Sequence, residues 1–156
     1  MTNTSIEIRP ATLDDVPAIL AFEQGVVTAE RPFNDKLKSG EIHYYDVADL
    51  VARSSSQVLV AEVSGRLVGT GHASIKESLG YLTHDAHAYL GLMYVDPEYR
   101  GEGIIQSIIA DLLQWARARG VTDFYLDVYA ANQPALKAYE KFGFQASLIE
   151  MKMHDE

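Results

Sequence analysis

The 156-residue chain has no cysteine, which excludes a disulfide framework, a thiolate metal site and a cysteine nucleophile. It has no apolar run as long as a membrane span requires, and its start is polar, unlike a signal peptide. Positive charge is scarce: 13 Lys and Arg stand against 22 Asp and Glu, a formal net charge of −9. Nucleic-acid binders need the opposite balance, because Lys and Arg must displace counterions from phosphate. The deficit suits attraction of a cationic partner, or serves solubility alone. Internal repeats, linkers and low-complexity tracts are also missing. What is present, 47% hydrophobic and 22% charged residues, is the composition of one globular domain, residues 1–156, long enough to bury a core. The expectation is a cytoplasmic enzyme with no membrane or nucleic-acid partner; a homodimer is left open.

The most informative stretch is Val95-Asp96-Pro97-Glu98-Tyr99-Arg100-Gly101-Glu102-Gly103-Ile104-Ile105. An apolar run from Tyr89 to Val95 reads as a buried strand, and Pro97 stops it because proline lacks an N–H for the ladder. After the glycines, Ile104, Ile105, Ile108, Ile109, Leu112, Leu113 and Ala116 recur at helical spacing. A strand, a glycine turn and a helix start make a seat for a phosphate or pyrophosphate. The first-turn N–H groups lack partners there, and the dipole is positive. The dinucleotide pattern G-x-G-x-x-G fails at Gln106, and no G-K-[ST] run exists.

In chain order, Ser5–Arg9 alternates as a first strand, and Thr12 caps a helix built on Val16, Ile19, Leu20 and Phe22. The helical pattern is lost from Gly25 to Gly40. Asp46 caps a second helix. Gln57–Val63 and Leu67–Lys76 form a hairpin around Ser64-Gly65-Arg66. His87–Val95 is the strand entering the glycine loop, and its helix ends near Arg119 at the C-cap residue Gly120. Asp123–Tyr129 is another strand, Asn132 caps the last helix, and Gln145–Met153 reads as a final strand. The order β α α β β β α β α β predicts an α+β fold: a mixed, mostly antiparallel central sheet with helices on both faces. A right-handed crossover then puts the glycine loop at the carboxyl end of a central strand.

The glycine stretch resembles motif A of the GCN5-related N-acetyltransferases (GNAT), R/Q-x-x-G-x-G/A, with Arg100, Gly103 and Ile105 on the defined positions. Ile105 departs from the usual Gly or Ala, so its side chain must turn away while its N–H donates. Asn132-x-x-Ala135-x-x-x-Tyr139-Glu140-Lys141-Phe142-Gly143-Phe144 resembles motif B, in the usual order and separation. The resemblance covers essentially the whole chain and implies a GNAT-like three-layer fold. It also implies acetyl-CoA as co-substrate and direct acetyl transfer, without a metal, to a primary amine of a small cationic molecule or a peptide. On this reading the pyrophosphate sits on N–H groups from Arg100, Gly101, Glu102, Gly103, Ile104 and Ile105. The pantetheine arm runs along Met93, Tyr94 and Val95, and an N–H near Met93 or Tyr94 polarises the thioester carbonyl. Asn132 and Tyr139 share the cofactor side of one helix, and Tyr139 is the expected acid toward the leaving thiolate. Lys141 and Lys137 meet phosphates or simply form a solvated face. The base is open among Glu30, Glu77, His84, Asp85, His87 and Asp127; His87, at the start of its strand, is the one expected beside Tyr139. The Glu30–Asp35 loop and the pair Tyr44-Tyr45 lie where this fold shapes the acceptor pocket. A non-catalytic acyl-CoA-binding module and a generic nucleotide-binding domain are the competing readings.

Overall fold

A computed structural model describes residues 5–156. The elements are β1 (Glu7–Pro10), α1 (Val16–Glu30), α2 (Val47–Ala52), β2 (Ser56–Val63), β3 (Arg66–Glu77), β4 (Ala86–Val95), α3 (Ile104–Arg117), β5 (Phe124–Tyr125) and α4 (Gln133–Glu140). The sheet order is β1-β2-β3-β4-β5. Consecutive strands run antiparallel up to β4, and β5 lies parallel to β4. This is the mostly antiparallel sheet expected from the element order. The β2–β3 hairpin turns through Ser64 (φ 50°) and Gly65 (φ 80°), a left-handed pair that matches the strand twist.

The sheet is covered on both faces, and strand alternation decides which residues go where. On one face, α3 presents its stripe of Ile104, Ile108, Ile109, Leu112, Leu113 and Ala116 to Leu59, Ala61, Val68, Ala73, Ala88 and Leu90. On the other, Ile19 of α1 and Val47 and Leu50 of α2 bury against Val58, Val60 and Leu92. The Asp46 and Asn132 caps are present, accepting from the N–H groups of Asp49 (3.1 Å) and Ala135 (3.3 Å).

Strand β4 changes parity along its length. Ala88 and Leu90 face α3, yet Leu92 packs on the α1 side, and Met93 and Val95 return to the α3 side. The cause is a β-bulge: Thr70 pairs with Tyr94 and His72 with Gly91, so two residues of β4 oppose one of β3. Leu92 takes up the extra residue at φ 56°, a left-handed conformation unusual for a leucine.

Three expectations are corrected. Helix α1 does not fade at Gly25 but continues to Glu30. The glycine is kept by packing, because a Cβ there would lie 2.5 Å from the Tyr94 ring. The strand expected over Asp123–Tyr129 shrinks to Phe124–Tyr125. The last strand is not formed: Gln145–Met153 has no ladder partner among the described residues, and Leu148, Ile149, Met151 and Met153 stay 81–93% exposed. Its apolar alternation is genuine strand propensity, but a strand forms only where an edge receives it.

Candidate active site

A cleft of about 400 Å³ opens at the carboxyl end of β4. It exists because β4 and β5 part company. Their parallel pairing covers only Ala88 with Phe124 and Tyr89 with Tyr125. Beyond it, Met93–Val95 and Asp127–Tyr129 are not paired with each other, and both segments line the opening. Val26, Ala29 and Glu30 from the end of α1 close one side, and Asn132, Ala135, Ala138 and Tyr139 of the α4 region another.

The cleft continues into a second hollow of about 210 Å³ around Tyr99, Gly101, Gly103 and Gln106, with Val95, Arg100, Ile105 and Ala138 shared by both. Gly101 (φ 82°) and Gly103 (φ 79°) are left-handed, and Gly103 is the N-cap residue of α3. The first N–H groups of the helix therefore point into this hollow without intrahelical acceptors. Arg100 Nε donates to the Val95 carbonyl at 3.0 Å, and its guanidinium lies 5.6 Å from the Tyr94 ring centre. The residue thus ties the glycine loop to the end of β4 while staying exposed.

At the opposite end the cleft is acidic and phenolic. Glu30 is half-buried; burial raises its carboxyl, and the nearby Tyr44 hydroxyl partly offsets the rise. Tyr89 donates to Asp127 at 3.0 Å, and Asn34 Nδ2 donates to the Tyr129 hydroxyl at 2.9 Å. Burial raises the Tyr139 phenol, and the charge of Glu30 adds to the effect. Tyr44 and Tyr45 are delivered here by a buried carboxylate. Glu23, 0% exposed, accepts from the N–H groups of Tyr44 (2.9 Å) and Tyr45 (3.1 Å) and from His43 Nδ1 (2.9 Å). Glu23 was not singled out from the sequence, though it sits in the Ile19-Glu23-Val27 stripe of α1, where an apolar residue belongs.

The sequence profile of the acetyltransferase (GNAT) family matches residues 24–144, most of the chain. The chain belongs to this family. The acetyltransferase is 30% identical over 112 residues to glucosamine 6-phosphate N-acetyltransferase of Trypanosoma brucei brucei, covering 69% of this chain and 72% of that protein. Its fold is shared with the BH1408 protein of Bacillus halodurans, solved as a tetramutant: TM-score 0.83, 23% identity, 95% of this chain and 99% of that one. The aminoglycoside N-acetyltransferase AAC(6')-Iy, solved with CoA, follows at TM-score 0.72 and 17% identity, covering 99% and 97%. The activity class is acyl-CoA-dependent N-acetyl transfer, so a non-catalytic module is not favoured.

The acetyltransferase gathers most of its expected site residues. Met93, Tyr94, Val95, Arg100, Ile105, Asn132 and Tyr139 line the large cleft; Gly101, Gly103 and Ile104 line the adjoining hollow. Glu102 and Lys141 are exposed and line neither. His87 is the exception that corrects an expectation. It pairs across from Lys76 near the start of β4, at the opposite end of the strand from Val95. Its Nδ1 sits 2.9 Å from the Ser78 hydroxyl, which also meets His84 Nδ1 at 2.7 Å; His84 Nε2 in turn meets the Tyr125 hydroxyl at 2.9 Å. At about 3.3 Å per strand residue, the seven steps from His87 to Tyr94 put it roughly 20 Å from the cleft floor. Of the other candidate bases, Glu77, His84 and Asp85 belong to that same far end, whereas Glu30 and Asp127 line the cleft.

Proposed function

We propose that the protein transfers the acetyl group of acetyl-CoA directly to a primary amine of a small cationic molecule or a peptide. One observation carries the reading: a single furrow runs from an anion seat at the α3 N-terminus to an end lined by Glu30 and Asp127. The residues fit the donor. The space where a Cβ of Gly101 would project is open for 4 Å, so backbone N–H groups at this turn are approachable by a pyrophosphate. The Arg100 Nη atoms make no hydrogen bond or ion pair among the described residues and stand ready for a phosphate oxygen.

When bound, the co-substrate supplies an acyl thioester. The bulged edge at Met93–Val95 is free of a β5 partner and offers backbone groups to an amide chain, as an edge strand does. An N–H near Met93 or Tyr94 is the donor toward the carbonyl oxygen as charge develops there. Tyr139 holds its proton, kept there by burial and by the nearby Glu30 charge, and is the acid that serves the departing sulfur.

The acceptor class follows from charge. Among the described residues lining the large cleft, Arg100 is the one cationic side chain, and it belongs to the anion end. Arg31, next to Glu30, is committed to the carbonyls of Lys38 (2.8 Å) and Gly40 (2.7 Å). A phosphorylated amino sugar, the acceptor in the trypanosome relative's name, would find no cationic side chain among the described residues lining this end of the cleft, whereas an ammonium finds two carboxylates and several phenols. The test mixes protein and acetyl-CoA with polyamines, aminoglycosides, amino acids, peptides and glucosamine 6-phosphate, following free thiol. Cationic amines are expected to release thiol fastest; binding of acetyl-CoA without release for any amine would refute the proposal.

A further inference from the structure

An amine acceptor arrives as an ammonium and must lose a proton before its nitrogen attacks, so some group at the acceptor end must take that proton. The fold sorts the candidates by place. Glu77, His84, Asp85 and His87 are grouped around the start of β4, and the Ser78 hydroxyl already occupies the Nδ1 atoms of both histidines. Asp127 lines the cleft but is exposed and already accepts the Tyr89 hydroxyl at 3.0 Å. Glu30 remains: the last residue of α1, half-buried in the cleft wall. It is near enough to Tyr139 for its charge to act on that phenol.

We infer that Glu30 is the proton acceptor of the reaction and that it works as a pair with Tyr139. The inference rests on the acetyl-transfer reading above. The ammonium N–H bond breaks and a Glu30 Oε–H bond forms. The freed nitrogen pair attacks the thioester carbon, the C–S bond breaks, and the Tyr139 hydroxyl proton passes to sulfur; the excess proton on the new amide nitrogen then passes to the Tyr139 phenolate, and Glu30 resets by giving its proton to solvent. The surroundings suit each role. Burial pushes the Glu30 carboxyl above its ordinary value, making the carboxylate a stronger base, while the Tyr44 hydroxyl beside it tempers the rise. The groups facing this pair are Tyr44 and Tyr45 ahead of α2, Arg31 beside Glu30, Asp127 and Tyr129 after β5, and Arg100 from the glycine loop. Two titratable groups in one site, one kept basic and the other kept protonated, form an acid–base arrangement.

The decisive variant is Glu30→Gln, which keeps shape and removes the base. With an alkyl amine that is an ammonium at neutral pH, kcat/KM is expected to fall on the order of 10²-fold, within the range for one general base. With an amine already neutral at assay pH, such as a fluorinated or hydrazine-type acceptor, the loss is expected to be no more than about threefold. The inflection that Glu30 gives the acidic limb of the wild-type pH profile should vanish in Glu30→Gln, leaving a rate that follows only the fraction of neutral amine. A readout independent of turnover is the carboxyl carbon resonance that disappears in Glu30→Gln; in the wild type it should titrate above the usual glutamate range. Equal losses for both amines, or an unchanged acidic limb, would overturn the assignment. Absence of turnover in the wild type with every amine would instead refute the transfer reaction itself.

Discussion

The two ends of β4 carry similar chemistry and use it in opposite ways. At the Ala86 end, β4 is zipped to β3 and β5, and the polar groups there have found one another: Ser78 bridges His84 and His87, and His84 reaches Tyr125. At the Val95 end, β4 stays paired with β3 through Tyr94 and Val95 beyond the bulge, but β5 has already left, so Tyr139, Glu30 and Arg100 line open space. Histidine and tyrosine are present or near at both ends. What differs is whether neighbouring backbone has closed around them. Reactive residue types mark a site only where the framework leaves room for a ligand.

The largest effect is expected at the open end, from Gly103→Asp. The left-handed backbone at Gly103 tolerates aspartate better than most residues, so the variant should fold, while bulk and negative charge enter the anion seat. Calorimetry should show acetyl-CoA affinity reduced by on the order of 10²-fold or more; unchanged affinity in a folded variant would place the seat elsewhere. Next comes Tyr139→Phe, which keeps the ring packed 6.0 Å from Phe144. Turnover should drop on the order of 10²-fold with little change in melting temperature or cofactor affinity, and less with a donor bearing a more acidic thiol. A full-speed variant would leave protonation of sulfur to water or another residue.

Arg100→Ala should have a smaller effect. Loss of a charge-assisted contact predicts about a tenfold weaker grip on coenzyme A, and clearly less on a phosphate-free pantetheine analogue. Since Arg100 also ties the loop to Val95, equal losses for both ligands would show that this tie is its whole role. The smallest effect belongs to the closed end: His87→Ala should leave kcat/KM within about a factor of two. A large drop there, in a folded protein, would break the contrast between the two ends.

Local signals carried much of this. The helical spacing from Ile104 to Ala116, the caps at Asp46 and Asn132, the Ser64-Gly65 turn and the glycine loop all depend on neighbours in sequence, and all appear where expected. The misses depend on distant partners. Gly25 looks like a helix breaker until the Tyr94 ring fills the space above it. Gln145–Met153 has a strand's alternation, but pairing is decided by another segment. His87 has suitable chemistry, but its distance from Val95 appears only when the register of β4 is known. The bulge had one faint sign, Gly91 within the apolar run, since a lone glycine in a strand often marks irregular pairing. Glu23 had another, a charge inside an apolar stripe.

Leu92 shows what the opening costs. Its left-handed backbone is unfavourable by about 1–2 kcal/mol, and its side chain, 4% exposed, packs among Ile19, Val47, Leu50, Val58 and Val60. The burial of an ordinary leucine is worth about 1.5–3 kcal/mol, enough to hold the distorted residue in place. A protein engineer seeking a more stable chain would be drawn to delete one residue here, restoring an even ladder and a relaxed backbone. The product would be a better sheet and a poorer catalyst, because the irregularity being repaired is the doorway.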